Sequence, residues 1–194
     1  MRLPLFPLDT VLFPGCVLDL QLFEARYLDM VSQCLKAGHG FGVVHILAGS
    51  EVGAAPASFA RVGCEALIRD WQQLPNGLLG IRVEGGRRFD VQSSEVLRDQ
   101  LTVAEVAWRS EPDPQPLAEQ HADLIVLLAA LGQHPMVKTL GLGGAVSDQS
   151  SLASQLAYLL PFDARQKIEL LGVDEPALQL EQIQSLLEQL QDGA

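Results

Sequence analysis

The side chains that could perform chemistry in this chain are few and widely separated. The histidines never lie three or four residues apart, the spacing that places two metal ligands on one helix face: they are His39, His45, His121 and His134. His45 lies in an apolar segment, where a histidine is more often a hydrogen-bonded core residue than a ligand. We therefore predict no metal site.

The cysteines show no pattern of a redox or metal centre. Cys16, Cys34 and Cys64 are three in number and form no C-x-x-C pair. An odd set without that pairing is typical of reduced residues in a cytoplasmic protein. We expect all three to be small core residues, without a disulfide bond or a zinc ion.

The motifs of common enzymes are also absent. No G-x-x-x-x-G-K-[ST] phosphate loop occurs, because the glycine clusters at 85–86 and 141–144 lack the lysine. No G-x-S-x-G elbow occurs, and Ser150 and Ser151 are typical of helix-capping residues. We predict no catalytic residues, no cofactor and no enzymatic activity. The alternative is a hydrolase whose site is assembled from distant segments.

Charge is distributed unevenly along the chain and disfavours nucleic acid as a partner. Residues 1–110 have 10 basic and 12 acidic side chains, whereas residues 111–194 have 3 and 12, for a net charge of −11. An acidic surface repels phosphate backbones. RNA binding by the first half would require one shared face for five arginines: Arg61, Arg69, Arg82, Arg87 and Arg88. The segment Arg87-Arg88-Phe89 is better explained as a strand with exposed arginines and a buried Phe89.

The sequence contains no targeting or membrane segment that we can identify. The apolar start is interrupted too often for a signal peptide, at Pro4, Pro7, Asp9 and Pro14. No uncharged apolar run approaches the ~20 residues that a membrane span requires. We expect a cytoplasmic protein that does not contact a membrane.

Three prolines within residues 111–116 mark the clearest boundary, because proline continues neither a helix nor a strand ladder. Strand and turn patterns precede this segment, and helical patterns follow it. The predicted fold class is α+β, with a β-rich subdomain at 1–110, a proline-rich connector at 111–116 and a helical subdomain at 117–194.

In the first half, the patterns predict one helix among several strands. The helix covers 23–35 and stops at Gly38, while strands are predicted at 41–47, 63–74, 78–92 and 101–109, and residues 11–23 are predicted to be strands joined by a turn. Pro75-Asn76-Gly77 has the composition of a hairpin turn.

In the second half, the patterns predict four helices. The first runs from Leu117 to Leu131; the second is capped by Asp148 or Ser150 and reaches Leu160; the third runs from Asp163 to Leu171; and the last opens at Pro176. The last helix has an apolar stripe that we predict to be core: Leu180, Ile183, Leu187 and Leu190.

Several segments together resemble the N-terminal domain of Lon protease. They are L-P-L-F-P-L at Leu3–Leu8, V-L-F-P-G at Val11–Gly15, L-F-E-A-R-Y at Leu22–Tyr27, V-G-C-E-A at Val62–Ala66, G-G-R-R-F at Gly85–Phe89 and the helical tail at 156–190. The resemblance implies a PUA-like pseudo-barrel followed by a helical bundle. Glu24 and Arg26 of the motif are predicted to pair near the helix start.

The resemblance also implies a function, since in Lon this domain engages substrates and helps to hold the oligomer together. We expect a stand-alone, non-catalytic module, because the chain ends at Ala194, before any ATPase or peptidase segment. The expected partners are unfolded or apolar polypeptide segments, with self-association as a further possibility. The alternatives are an RNA-binding PUA-like module and an adaptor of a hydrolase. No binding residues are assigned.

Overall fold

The computed structural model describes residues 1–192, and their side chains through Leu190. The chain divides into two compact units, Met1–Arg109 and a second that begins at Ser110. Residues 111–115 form no helix or strand, and Pro116 forms an isolated bridge with Asp148. The interpretation of 111–116 as a connector between separate subdomains stays a prediction, and the last two residues of the predicted 117–194 subdomain lie outside the described residues.

The first unit is a six-stranded sheet that closes on itself. Its elements are β1 (Arg2–Leu8), β2 (Val17–Leu22), α1 (Ala25–Ala37), β3 (Phe41–Ala48), β4 (Ser58–Gln73), β5 (Leu79–Val96) and β6 (Thr102–Trp108). The strand order is β2-β5-β4-β3-β1-β6, and β5 also pairs with β6. Five strands therefore form a closed barrel with β2 outside it, which confirms the predicted pseudo-barrel.

Two strands differ from the sequence-based expectation. Only Val17–Leu22 forms a strand within residues 11–23, so the prediction of strands on both sides of a turn was wrong for the residues before the turn at 14–15. The unpredicted strand is β1, which pairs in parallel with β3 and antiparallel with β6. Its sequence contains Pro4 and Pro7, which lack the N–H that a ladder uses and therefore hid the strand pattern.

Phe89 fills the barrel, and two glycines make room for its ring. A Cβ atom added at Gly63 would lie 2.5 Å from the tip of the Phe89 ring, and one added at Gly42 would lie 2.7 Å from it. The surrounding side chains are apolar and buried: Leu3, Leu5, Val44, Val91, Ala104 and Val106. Gly63 of the V-G-C-E-A segment and Phe89 of the G-G-R-R-F segment therefore pack directly against each other.

Beyond the barrel, β4 and β5 continue as a hairpin on which β2 adds a third strand. We call this three-stranded segment the arm: β2, residues 67–73 of β4 and residues 79–84 of β5. A Cβ atom on Gly85 would lie 2.0 Å from the carbonyl oxygen of Phe13. Gly85 therefore lets the chain that enters β2 cross close to β5, where the Gly85 N–H donates to the Cys16 carbonyl at 2.8 Å.

Helix α1 packs one face into the first unit. Its buried residues include the predicted set of Tyr27, Met30, Val31 and Cys34. The helix ends at Gly38, whose left-handed φ of 70° is accessible to glycine at little cost. The ring of Tyr27 stacks on Phe6 with centroids 3.9 Å apart. All three cysteines are buried, as predicted, and burial raises the pKa of Cys34 to about 11.

The second unit is helical, as predicted. A single 3-10 turn at Glu119–His121 leads into α2 (Ala122–Leu131), followed by α3 (Pro135–Thr139), α4 (Gln149–Leu159), α5 (Ala164–Leu171) and α6 (Pro176–Asp192). The first helix begins later than the predicted Leu117, and α3 was not predicted. His134 caps α3 by accepting the Met136 N–H, and Pro135 occupies its first position.

Local capping and apolar packing define the longer helices of this unit. Asp148 caps α4, and Asp163 forms a reciprocal capping box with Gln166 at the start of α5. In α6, Leu180 and Ile183 are buried, whereas Leu190 is 44% exposed. The prediction that the whole α6 stripe is core was therefore wrong at Leu190.

Candidate functional site

The four histidines belong to four different segments of the chain. Within residues 1–192, no group of three or more His, Cys, Asp and Glu side chains could hold a metal ion. His121 is buried and accepts the Ala118 N–H at 3.2 Å, and His134 caps α3. His45 is half-buried in β3, and its Nδ1 has no hydrogen-bond partner among the described residues, so its assignment as a hydrogen-bonded core histidine was wrong at that nitrogen.

Serine side chains serve a structural purpose in α4. The Ser151 hydroxyl donates to Oδ2 of Asp148 at 2.9 Å, and the Ser151 N–H donates to Oδ1 at 2.9 Å. Partial burial raises the pKa of Asp148, but these hydrogen bonds outweigh it and leave that pKa below its usual value. Ser151 therefore takes part in the cap formed by Asp148, whereas the Ser150 hydroxyl is buried without a hydrogen-bond partner among the described residues, so the capping interpretation was wrong for Ser150.

The arginines that an RNA site would need are largely paired with carboxylates. Arg69 pairs with Glu84 at 2.8 Å, Arg82 with Asp19 at 2.7 Å and Arg87 with Glu65 at 3.4 Å; Arg61 donates to the Val91 carbonyl. Arg88 is buried, so the expectation that both Arg87 and Arg88 are exposed was wrong at Arg88. Carboxylates next to these cations lower the positive potential that attracts phosphate.

The edge strand β2 presents backbone groups that no other strand uses. In an antiparallel pair, every second residue directs its N–H and C=O to the neighbour. The Cys16 carbonyl accepts the Gly85 N–H, so the backbone groups of Cys16 point to β5. Every second residue after it does the same, and these residues are Leu18, Leu20 and Leu22. Asp19 and Gln21 then direct their backbone groups away from β5, and neither forms a backbone hydrogen bond outside the strand pairing among the described residues.

A pocket of about 160 Å³ lies beside this edge. Its apolar lining comes from five segments of the chain: Phe6 and Leu8 of β1, Leu20 and Leu22 of β2, Phe23 before α1, Tyr27 of α1 and Val52 in the loop after β3. Phe23 and Val52 are each 55% exposed. Exposed apolar side chains gathered at a concave site are typical of a surface that binds another molecule.

Polar residues complete the lining of this pocket: Asp19, Gln21, Glu24 and Glu51. Glu24 pairs with Arg26 at 2.9 Å, which confirms the predicted pair, and the Arg26 side chain is only 4% exposed. Glu51 accepts the Asp9 N–H and forms none of the ion pairs found among the described residues. Burial raises the pKa of Tyr27; Arg26 opposes this, while Glu24 and Glu51 reinforce it. The pocket therefore combines an apolar lining with one unneutralised carboxylate.

The other face of the arm is polar. A second pocket, of about 320 Å³, is lined by residues of all three strands, which include polar Asp19, Asp70, Gln72 and Arg82 and apolar Leu20, Trp71 and Ile81. Arg82 forms a two-pronged contact with Asp19 and, through these hydrogen bonds, holds the pKa of that carboxyl below its usual value. The charges on this face are thus largely satisfied within the arm.

Sequence reasoning identified none of these pocket residues as binding residues. Phe6, Leu20 and Val52 belong to segments far apart in the chain, and each segment alone has the pattern of ordinary core or loop. The available signal was the F-E-A-R-Y motif at Phe23–Tyr27, which supplies Phe23, Glu24 and Tyr27 to the site.

Comparison with known families supplies the decisive match. Residues 2–189 match the family model described as the ATP-dependent protease La (LON) substrate-binding domain. The chain belongs to this LON family. The matching model describes the substrate-binding domain and no catalytic domain.

Solved structures agree with the LON assignment. A Lon N-terminal domain protein from Xanthomonas campestris is 36% identical, with a TM-score of 0.77, over 95% of this chain and 98% of that one. The N-terminal domain of a Mycobacterium avium complex Lon protease shares the fold at 19% identity and a TM-score of 0.63, over 97% of both chains.

Curated relatives of this LON-family chain are Lon proteases. The enzyme of Roseiflexus castenholzii is 33% identical over 64% of this chain, and that of Rhizobium meliloti is 22% identical over 95%. The matched regions span 14% and 24% of those two proteins. None of the described helices is long and apolar enough to cross a membrane.

Proposed function

We propose that this protein binds unfolded polypeptide without catalysing its cleavage, through the apolar pocket beside β2. The observation that supports this most directly is the pocket itself, because its lining is mostly apolar and includes the exposed side chains of Phe23 and Val52. Membership of a substrate-binding domain family makes polypeptide the favoured ligand.

The test compares two exposed apolar residues of the first unit. Phe23 is 55% exposed and lines the pocket, whereas Leu47 is 60% exposed and does not line it. The ligand is a fluorescently labelled, reduced and carboxymethylated protein that cannot refold. Phe23→Ala should weaken binding at least about fivefold, because an anchor residue at an interface contributes about 1 kcal/mol or more. Leu47→Ala should leave the affinity within about twofold of the native value.

Salt separates this proposal from RNA binding. Screening weakens only the charged part of an interaction, so apolar binding should largely survive a rise from 50 to about 500 mM salt. RNA affinity would fall steeply over the same range, because counterions are released from phosphates. Salt-sensitive uptake of a labelled RNA with no uptake of the unfolded protein would reject the proposal, as would equal losses from Phe23→Ala and Leu47→Ala.

Absence of catalysis is tested directly on the purified chain. We expect no ATP turnover and no casein degradation above a buffer blank. Activity that a single substitution in this chain abolishes would contradict the non-catalytic part of the proposal.

A further inference from the structure

The two free edges of the arm are not equally available for an added strand. On the β4 side, the Asp70 carboxylate accepts the outward Trp71 N–H at 2.8 Å, so that donor is already satisfied. On the β2 side, Asp19 and Gln21 face outward with no such hydrogen bond to their backbone groups. Unpaired groups in a row are the template on which an extended peptide adds as a further strand.

The pocket lies on one face of the edge that is free. Leu20 and Leu22 direct their side chains to that face, whereas Asp19 and Gln21, which border the same pocket along the edge, alternate to the opposite face, where Asp19 pairs with Arg82. Side chains of an added strand alternate between faces in the same way. Every second side chain of a peptide on this edge would therefore point to the face on which the pocket lies, and the intervening ones would point to the polar face of the arm.

The size of the pocket limits what it can hold. Its volume of about 160 Å³ is below the ~300 Å³ at which pockets for small molecules begin. This volume suits one large apolar side chain better than a compact ligand. A second side chain on the same face lies two positions along the strand, roughly 7 Å away.

The charge around the pocket sets the character of that second side chain. Glu24 is balanced by Arg26, whereas Glu51 forms no ion pair among the described residues. A cation placed beside an apolar anchor would therefore neutralise Glu51, and an anion there would be repelled.

We propose that β2 accepts an extended polypeptide segment as an added antiparallel strand, with an apolar side chain in the pocket and a lysine or arginine two positions away beside Glu51. The antiparallel direction follows the pairing of the arm's own strands, and antiparallel pairs are slightly more stable than parallel ones. This inference rests on the proposed polypeptide binding and adds its direction, its register and its preferred sequence.

The first experiment varies the ligand. The probe is a labelled nonapeptide of serine and threonine with one leucine and one lysine two positions apart. Replacing the lysine by serine should lower affinity by up to about fivefold, and replacing it by glutamate should lower it further. Moving the lysine next to the leucine keeps the composition and should lower affinity as much as its removal, because it then points to the other face. Equal affinities across this set would overturn the inference.

The second experiment tests the backbone pairing. In the proposed register, the residue between leucine and lysine directs its N–H to β2, while the leucine N–H points away. N-methylation of the intervening residue should lower affinity about twofold to tenfold, the range of one hydrogen bond. N-methylation of the leucine is the control and should have little effect. Equal effects from the two methyl groups would exclude an added antiparallel strand.

Matched protein variants give an independent readout. Gln21→Pro removes an outward N–H from the β2 edge, and Gln73→Pro is designed as the same change on the β4 edge. Only Gln21→Pro should lower the affinity for the leucine–lysine peptide. Glu51→Gln keeps an oxygen acceptor for the Asp9 N–H and should abolish the preference for lysine over serine. Equal weakening by both prolines, or a lysine preference that survives Glu51→Gln, would overturn the inference.

The two proposals fail in distinguishable ways. If the peptides bind and Phe23→Ala weakens them, but register, N-methylation and Glu51→Gln have no effect, polypeptide binding stands and strand addition is wrong. If neither the peptides nor the unfolded protein bind, the proposed function itself is wrong.

Discussion

The barrel and the arm share the two long strands β4 and β5. The sheet is closed in the barrel and open in the arm. In the barrel, β5 pairs with β4 on one side and β6 on the other, so the sheet has no free edge there. In the arm, β5 is covered by β2 and β4, and no further strand among the described residues pairs with the outer side of either one there. Closure removes edges, and an open arm keeps them.

Within this one sheet, the closed barrel provides stability and the open arm is suited to binding. The barrel encloses Phe89, which is fully buried between two glycines. The arm has half-buried Leu20 and exposed Trp71 on its strands, and it adjoins the pocket beside β2. A region with few buried contacts and free backbone groups can accept a ligand because it loses little by rearranging locally.

The largest expected effect is loss of the barrel core. Phe89→Ala should lower the free energy of unfolding of the first unit by about 3–5 kcal/mol, because it removes a buried ring and leaves a cavity. Urea denaturation followed by circular dichroism measures this loss. Leu20→Ala in the arm is the control and should cost less than half as much. Equal costs would break the proposed division between barrel and arm.

A smaller loss is expected when the space for that ring is filled. Gly63→Ala places a Cβ atom 2.5 Å from the Phe89 ring and 2.7 Å from the Val43 carbonyl oxygen, and the backbone oxygen cannot move aside cheaply. We expect a cost of about 1–3 kcal/mol by the same denaturation measurement. Gly144→Ala meets no atom within 4 Å and should be nearly neutral. A stable Gly63→Ala protein would show that the ring does not occupy this space.

Hydrogen exchange should distinguish the side of β2 that pairs with β5 from its outer side, residue by residue. The amides of Leu18 and Leu20 face β5 and should be protected, whereas those of Asp19 and Gln21 face outward and should exchange rapidly. Amide exchange measured by NMR tests this alternation. The peptide of the strand-addition proposal should slow exchange at Asp19 and Gln21 and leave the barrel amides unchanged. Uniform protection along β2 would contradict the open edge.

The smallest effect is expected at the exposed ion pair of the arm. Arg82 holds the pKa of Asp19 below its usual value of 3.8, so the folded state binds the proton less readily than the unfolded state. The stabilisation is therefore present at neutral pH and is lost as the pH falls through and below this value. Asp19→Asn should cost no more than about 1 kcal/mol at pH 7, since both side chains are largely exposed. A difference from native protein that does not shrink as the pH falls below 3.8 would contradict this assignment.

The sequence predicted local features well where the determining residues are close together. Gly38 ends α1, Asp148 and Asp163 cap α4 and α5, and Pro176 opens α6, all as expected. These signals act over three or four residues, so they can be read without knowing the fold. Predictions failed where tertiary context decided the outcome, as for β1, whose prolines are tolerated within a closed sheet.

The sequence by itself determined the α+β class, the LON-family motifs and the scarcity of reactive groups, because these depend on residue types and short spacings. Only the tertiary structure decided that Gly63 and Gly42 enclose Phe89, that β5 closes onto β6 and that Asp19 and Gln21 of β2 direct their backbone groups away from the sheet. It also decided the pocket, which joins residues as distant as Phe6 and Val52. Strand closure and pocket formation depend on contacts between remote segments, which no local pattern encodes.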